Sequence, residues 1–251
     1  MKKIIKPDIP YKIEGNIIHF ISTYDERPLW SKKLHQWHIQ NQENLHMKRR
    51  YKFQRQKMLG DETTKRFVEF VNNIKGVKVD LASGPSGYFA PCLDALVETD
   101  IFIATDACPT IIDAHAKACN LDNFYVFDVD LDKPLPFVDE SVDIFTGNLL
   151  NNVNDYANLL KEAYRCLKPN GKFAIIEMFF EHGCKTYEFL KEKNAVWASF
   201  ETFIAFCEQI GFTCINSEII NTRKGKISAG DLFPLDDNDI SVDRVIYLTK
   251  N

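Results

Sequence analysis

The stretch Val77-Lys78-Val79-Asp80-Leu81-Ala82-Ser83-Gly84-Pro85-Ser86-Gly87 constrains this chain more than any other. The β-branched Val77 and Val79 predict a short buried strand with Asp80 at its end, and Gly84 and Gly87 supply a turn that lets a ligand approach the backbone. A fold that presents such a turn to a pyrophosphate relies on glycines and on a helix N-terminus that favours an anion. A carboxylate just ahead of the glycines is badly placed for that ligand. It suits one that carries positive charge and no phosphate at this point.

From Val77 onward, strand and helix patterns alternate, which predicts a parallel sheet covered by helices on both faces. Strands are expected at Ile101–Thr105, Phe124–Phe127, Val142–Thr146 and Lys172–Met178, then up to Ile220, and finally over Asp243–Thr249. Helices are expected over Phe89–Val97, Pro109–Cys119, a run capped by Asn154, and Ser199–Ile210. Ahead of the motif, Tyr11–Ile21 reads as a hairpin turning near Gly15-Asn16. Trp30, Leu34, Trp37 and Asn41 fall at helical spacing, residues 43–59 read as a second helix, and Asp61 is placed to cap a third.

Asp80-Leu81-Ala82-Ser83-Gly84-Pro85-Ser86-Gly87 resembles the first motif of the class I S-adenosylmethionine (SAM)-dependent methyltransferases. Ala82 and Ser86 stand where many members carry glycine. Leu135–Asp143 resembles the link into that family's fourth strand, and Arg165–Lys172 the turn before its fifth. The resemblance covers roughly residues 61–251. It implies a Rossmann-like, doubly wound α/β sheet of seven strands, mostly parallel with the last strand antiparallel; residues 1–60, outside the resemblance, read as an N-terminal hairpin and helical extension. SAM, with its ammonium and sulfonium, is the cofactor implied, and the activity is methyl transfer.

The implied SAM-binding residues are Asp80, Ala82, Ser83 and Gly84 in the first turn, then Asp106, Ala107, Asp128, Val129, Asn148 and Leu149. Asp106 follows Asp80 by 26 residues at the end of the second strand, where an acid accepts hydrogen bonds from ribose hydroxyls; a helix-cap role is the alternative. The resemblance places Asp128 near the adenine amino group, with Asp130 as its competitor. Asn148 and Leu149 would hold the methionine end, while Asn151 or Asn152 could reach the substrate or simply form turns. Glu177, Glu181 and His182 lie at or after the end of the fifth strand. Of these, His182 is the general-base candidate, with an exposed loop histidine as the alternative reading. Methyl transfer from a sulfonium also proceeds by in-line alignment without a strong base.

Charge narrows the acceptor. The net charge is −4 and the pI about 5.9, so no global field draws the chain to nucleic acid or an anionic membrane. Only Lys48–Lys57 departs from this, with six basic residues, no acid, and Tyr51 and Phe53 interleaved. It reads as an RNA- or anion-binding helix or as a solvated face. A small-molecule acceptor is therefore expected ahead of RNA. Trp30 and Trp37 would form a lid over the pocket or pack their helix onto the sheet, and Asn221–Ile240 would add a binding rim. No apolar run reaches the roughly 18–20 residues of a membrane helix, and the basic N-terminus lacks a signal peptide's apolar segment, so a cytoplasmic protein is expected. Seven cysteines form no CxxC pair, so reduced core thiols are expected and no metal site. The rival readings are a nicotinamide-dependent oxidoreductase, opposed by Asp80 and the incomplete glycine pattern, and a non-catalytic SAM-binding module.

Overall fold

A computed structural model describes residues 3–41, 45–226 and 233–251. The chain opens with a hairpin of β1 (Lys12–Glu14) and β2 (Ile17–His19), turning at Gly15 where φ is +62°. Three helices follow: α1 (Leu29–Gln40), α2 (Met47–Leu59) and α3 (Glu62–Asn73). The motif forms β3 (Val77–Leu81), and after it come β4 (Ile101–Asp106), α4 (Pro109–Ala118), β5 (Phe124–Asp128) and β6 (Val142–Asn148). The remainder is α5 (Tyr156–Cys166), β7 (Leu167–Phe180), α6 (Lys185–Glu192), α7 (Phe200–Gln209), β8 (Phe212–Lys224) and β9 (Ile240–Lys250).

All five residues of β3 are buried, as befits the middle strand of a sheet covered on both faces. Even Lys78 is buried, and its ammonium donates to the carbonyls of Val71 and Ile74, closing the C-terminal end of α3. The strand order is β1-β2-β5-β4-β3-β6-β7-β9-β8. From β2 through β7 the neighbours run parallel, whereas β9 pairs antiparallel with both β7 and β8. Because β3 has β4 on one side and β6 on the other, the order reverses there. A crevice opens beyond its carboxyl end, the usual ligand position in such sheets.

The sheet therefore has nine strands, not the seven expected. The hairpin supplies the two extra strands: β2 pairs parallel with β5 through Ile17↔Val126, Ile18↔Phe127 and His19↔Asp128. Ile17 and Ile18 are buried there, so the hairpin covers what would otherwise be an open sheet edge. The stretch before residue 60 is thus continuous with the central sheet.

One face of the sheet is packed by Tyr156, Leu160 and Ala163 of α5 with Phe203 and Cys207 of α7. The other is packed by Tyr51 and Met58 of α2, Phe67 and Val71 of α3, and Ile111 and Ile112 of α4. Phe89, Phe102 and Phe124 stack within this second layer at centroid distances of 5.1–6.2 Å. Each such buried ring contributes about 1.5–3 kcal/mol through burial. All seven cysteines are unpaired thiols, five of them buried.

Local boundaries depart from expectation where packing overrides pattern. The helix expected over Phe89–Val97 is a single 3₁₀ turn at Ala90–Leu93, and α2 packs on that turn instead. Asp155, one residue beyond Asn154, caps α5 by accepting from the Asn158 N–H at 3.1 Å. Helix α6 was not anticipated. The final hairpin is longer than expected, so Asn221–Lys224 are strand; the middle of the expected rim, residues 227–232, lies outside the described residues.

Candidate active site

At the carboxyl end of β3 the chain turns through left-handed backbone at Ala82 (φ +49°), Gly84 (φ +57°) and Gly87 (φ +64°). Alanine seldom adopts this conformation, so hydrogen bonds hold Ala82 there. Its N–H donates to the Thr105 Oγ1 at 3.1 Å, and the Ser83 N–H donates to the Thr105 carbonyl at 2.8 Å. Thr105 Oγ1 in turn donates to the Asp80 carbonyl at 3.0 Å. The ends of β3 and β4 are laced together, which fixes the turn's shape without a ligand.

A cavity of about 560 Å³ opens at this point, within the size range of small-molecule sites. Its floor is the turn from Ala82 to Ser86, together with Asp106, Ala107 and Val129. Asn148, Leu149, Asn152 and Val153 form one side, and Asp130, Leu131 and Asp132 another. Trp30 and Leu34 of α1 close it from above, so α1 is a wall of the cavity. Three aspartates line it and, among the described residues, no Lys, Arg or His does.

Eight of the ten anticipated cofactor-binding residues line this cavity: Ala82, Ser83, Gly84, Asp106, Ala107, Val129, Asn148 and Leu149. Asp106 accepts from the Cys108 N–H at 2.8 Å and the Gly84 N–H at 3.1 Å, one on each oxygen. The acceptor capacity left on the carboxylate suits ribose hydroxyls. Burial raises the Asp106 carboxyl to a pKa of about 6, against the pull of these backbone donors. Asp130 is also raised by burial.

Asp80 and Asp128 are not in the lining. Asp80 is buried beneath the turn, its Oδ1 accepting from the Thr146 hydroxyl at 2.7 Å, and desolvation raises its pKa to about 6. Asp128 is fully buried and committed elsewhere: Arg27 donates to both its oxygens at 2.7 and 2.6 Å, and His19 Nδ1 lies 2.8 Å away. Arg27 also donates to the Ala107 carbonyl at 2.7 Å, and Ser31 reaches the same carbonyl at 2.5 Å. The carboxyl expected near an adenine is thus held by Arg27 and His19 and does not line the cavity. The acid that lines the cavity after β5 is Asp130.

His182 also lies apart from the cavity. Its side chain is 62% exposed, 3.3 Å from Glu201 and against the Tyr187 ring, and Glu181 is exposed beside it. Glu177 is buried and acts on the cavity wall from behind. It accepts from the Asn151 N–H at 3.2 Å and the Tyr156 hydroxyl at 2.9 Å, which holds the turn after β6 that carries Asn148 and Leu149. Burial pushes its pKa to about 8. Asn152 lines the cavity but Asn151 does not, and Trp37 stays half-exposed outside it.

Arg27 was missed because its partner lies 101 residues away and no local pattern announces it. Among the described residues, no group of three or more His, Cys, Asp or Glu side chains is arranged for a metal ion. Nor is any helix long and apolar enough to cross a membrane.

Comparison with known proteins agrees with this geometry. Residues 79–175 match the family described as "Methyltransferase domain". The ubiquinone/menaquinone biosynthesis C-methyltransferase UbiE of Rickettsia felis is 38% identical over 96 residues, covering 37% of this chain and 34% of that protein. The chain thus spans about a third of the length of that relative. Among solved structures, geranyl diphosphate C-methyltransferase from Streptomyces coelicolor, determined with S-adenosyl-L-homocysteine, superposes with a TM-score of 0.55 at 12% identity, over 75% of this chain and 78% of that one. The [4+2]-cyclase SpnF superposes with a TM-score of 0.53 at 14% identity, over 74% and 80%, so the shared fold alone does not fix the reaction. The matched segment contains the turn, Asp106, Asp130 and Asn148, on the sheet that places them around one cavity: the chain carries a class I SAM-dependent methyltransferase domain.

Proposed function

We propose that the protein transfers a methyl group from SAM to a neutral, apolar small molecule that enters under α1. The observation that carries this reading is the chemistry of the cavity. Three carboxylates and, among the described residues, no cationic side chain favour a positively charged donor and disfavour acceptors bearing phosphate or carboxylate. Trp30, Leu34, Leu131, Leu149 and Val153 supply an apolar wall on the remaining sides.

In this reading, Asp106 accepts the ribose hydroxyls and Asp130 takes the adenine-side role. The backbone of Ser83 and Gly84 lies along the methionine portion, with Asn148 and Leu149 opposite. When bound, SAM supplies an electrophilic methyl group whose sulfur leaves as a neutral thioether with the bonding electron pair. The apolar wall orients the acceptor and excludes water during transfer, and the methylated acceptor gives up its displaced proton to solvent as it leaves the cavity. No residue of the cavity has to act as a strong base for this step.

The names of the relatives point the same way. UbiE of Rickettsia felis and a demethylmenaquinone methyltransferase of Lactobacillus johnsonii, 54% identical over 44 residues, are named for quinones. A quinone-type ring has the neutral, planar character this wall accommodates. The basic run in α2 gives RNA less support: Arg55 pairs with Asp94, and Arg50 donates to the Pro85 carbonyl at 3.1 Å. Both therefore fasten α2 to the protein.

The test is methyl-labelled SAM offered with neutral hydroquinones and phenols, with carboxylated or phosphorylated analogues, and with RNA. Label on the neutral rings is expected. Label confined to an anionic acceptor or to RNA would refute the proposal, and binding of SAM with no transfer to any of them would favour the non-catalytic module.

A further inference from the structure

The glycine turn is held from a direction its own sequence does not reveal. His115, on α4, is fully buried, and its Nε2 lies 2.9 Å from the Gly84 carbonyl. Its Nδ1 lies 2.7 Å from the hydroxyl of Tyr51, which is on α2 and also buried. A carbonyl can only accept, so Nε2 carries the proton, and Nδ1 is then the acceptor for the Tyr51 O–H. The tyrosine and imidazole rings stack at 5.8 Å between centroids. Burial lowers the His115 pKa to about 4, which keeps this neutral tautomer in place at neutral pH.

The Tyr51 ring does a second thing. A Cβ built on Gly87 would lie 2.6 Å from it, so the ring fills the space that a side chain at position 87 would need. With Arg50 on the Pro85 carbonyl, α2 meets the turn directly at Pro85 and Gly87, and it reaches Gly84 through His115.

We propose that α2 is a positioning element for the donor-binding turn, acting through the hydrogen-bonded line Tyr51–His115–Gly84. Glycine at φ +57° lacks the Cβ that would limit its rotation, so its peptide planes need external restraint. Asp106 restrains the Gly84 N–H, and His115 restrains the Gly84 carbonyl. The same residue is thus gripped at both ends, once by the acid that faces the ribose and once by His115 of α4, which Tyr51 holds from outside the matched methyltransferase segment. Loss of the His115 bond frees the carbonyl to rotate, and the donor must then order the turn as it binds. Tyr51 and His115 touch no donor atom in this arrangement. They act through Gly84.

The inference rests on the reading that this turn binds SAM, and the experiment separates the two. SAM titration of the full chain is compared with Tyr51→Phe, His115→Leu and His115→Gln, with urea midpoints measured in parallel. Tyr51→Phe keeps the ring against Gly87 and removes only the hydroxyl, so the SAM dissociation constant should rise about threefold to tenfold, the effect of one net hydrogen bond. His115→Leu should raise it about tenfold or more by leaving the Gly84 carbonyl without its donor. His115→Gln carries both a donor and an acceptor and should return affinity to within about threefold of the unaltered chain.

Nitrogen-15 shifts of His115 should show the Nε2–H tautomer at pH 7, and Tyr51→Phe should keep that tautomer while moving the Nδ1 shift as its hydrogen bond is lost. Unchanged SAM affinity in folded Tyr51→Phe and His115→Leu proteins would overturn the proposal. So would a loss in all three variants that merely follows their urea midpoints. An Nδ1–H or charged imidazole at pH 7 would overturn it without any ligand. If the unaltered chain itself binds no SAM, the donor reading is what fails, and the tautomer measurement still decides the hydrogen-bonded line.

Discussion

The floor of the cavity and its roof are built on different terms. The floor comes from the ends of β3, β4, β5 and β6, inside the matched segment, and it presents backbone turns with Asp106, Asp130 and Asp132. The roof comes from α1, outside that segment, and presents Trp30 and Leu34. The floor is held by hydrogen bonds among near neighbours of the sheet. The roof is held largely by Arg27, Ser31 and His38, whose partners are Asp128, the Ala107 carbonyl and Thr110. A donor-binding floor can therefore stay constant while the roof selects the acceptor, but the roof's anchor runs through a residue of the sheet.

Substitution at that anchor should give the largest effect. Arg27→Met leaves the Asp128 carboxylate buried without its guanidinium and should cost about 3–5 kcal/mol of stability in urea unfolding. His19 remains beside it and places the result toward the low end. Adding Asp128→Asn should recover part of the loss. If Arg27→Met is as stable as the unaltered chain, the roof is not anchored there.

On the floor, Asp106→Ala should lower the urea midpoint modestly, because the Cys108 and Gly84 N–H groups lose their acceptor. It should raise the SAM dissociation constant about tenfold or more, since hydrogen bonds to a charged acceptor contribute about 1.5–3 kcal/mol each. Asp130→Ala should have a smaller effect of the same kind, and equal losses at Asp128 and Asp130 would blur the contrast drawn between them.

The floor should also respond to pH. Burial raises Asp106 to about 6 in the unliganded protein, and a protonated carboxyl accepts ribose hydroxyls poorly. The ionised form is thus the better binder, so affinity is retained above the raised pKa and lost as the pH falls through it. Between pH 7 and 5 the SAM dissociation constant should rise about tenfold, the limit for one proton taken up over one unit below the pKa. Asp106→Asn should flatten most of that slope in the same titration.

Trp30→Ala tests the roof alone. It should weaken acceptor use several-fold in labelled-methyl assays while moving SAM affinity by less than about threefold, because only the wall changes. The smallest effect is expected at Ala82→Gly. Relief of the left-handed backbone should raise stability by about 0.5–1 kcal/mol in urea unfolding, with SAM affinity unmoved.

The contrast between floor and roof also marks what could be read from the sequence. The strand-turn motif at Val77–Gly87 and the acid Asp106 are local patterns, and the structure puts that turn and that acid at one cavity. Asp128 closes β5 in register with Asp106 on one side and His19 on the other, which does not tell whether it lines the cavity. Which acid then faces the crevice depends on Arg27 arriving from a distant loop. The hairpin was legible as a hairpin, but not as two added strands, since its pairing with β5 joins residues more than a hundred positions apart. Helix α6 is only eight residues long and is capped by the Cys184 thiol, a weak acceptor that carries no familiar start signal. The hydrogen-bonded line from Tyr51 through His115 to Gly84 joins three separate elements and has no sequence signature at all.

The central claim is that the floor is a SAM site, and equilibrium titration of the full chain with SAM, S-adenosylhomocysteine and NAD tests it most directly. One SAM per chain is expected, competed by S-adenosylhomocysteine, with no heat from NAD, because Asp106, Asp130 and Asp132 face the cavity and, among the described residues, no cation lines it to meet a pyrophosphate. Binding of NAD with no response to SAM would contradict the account.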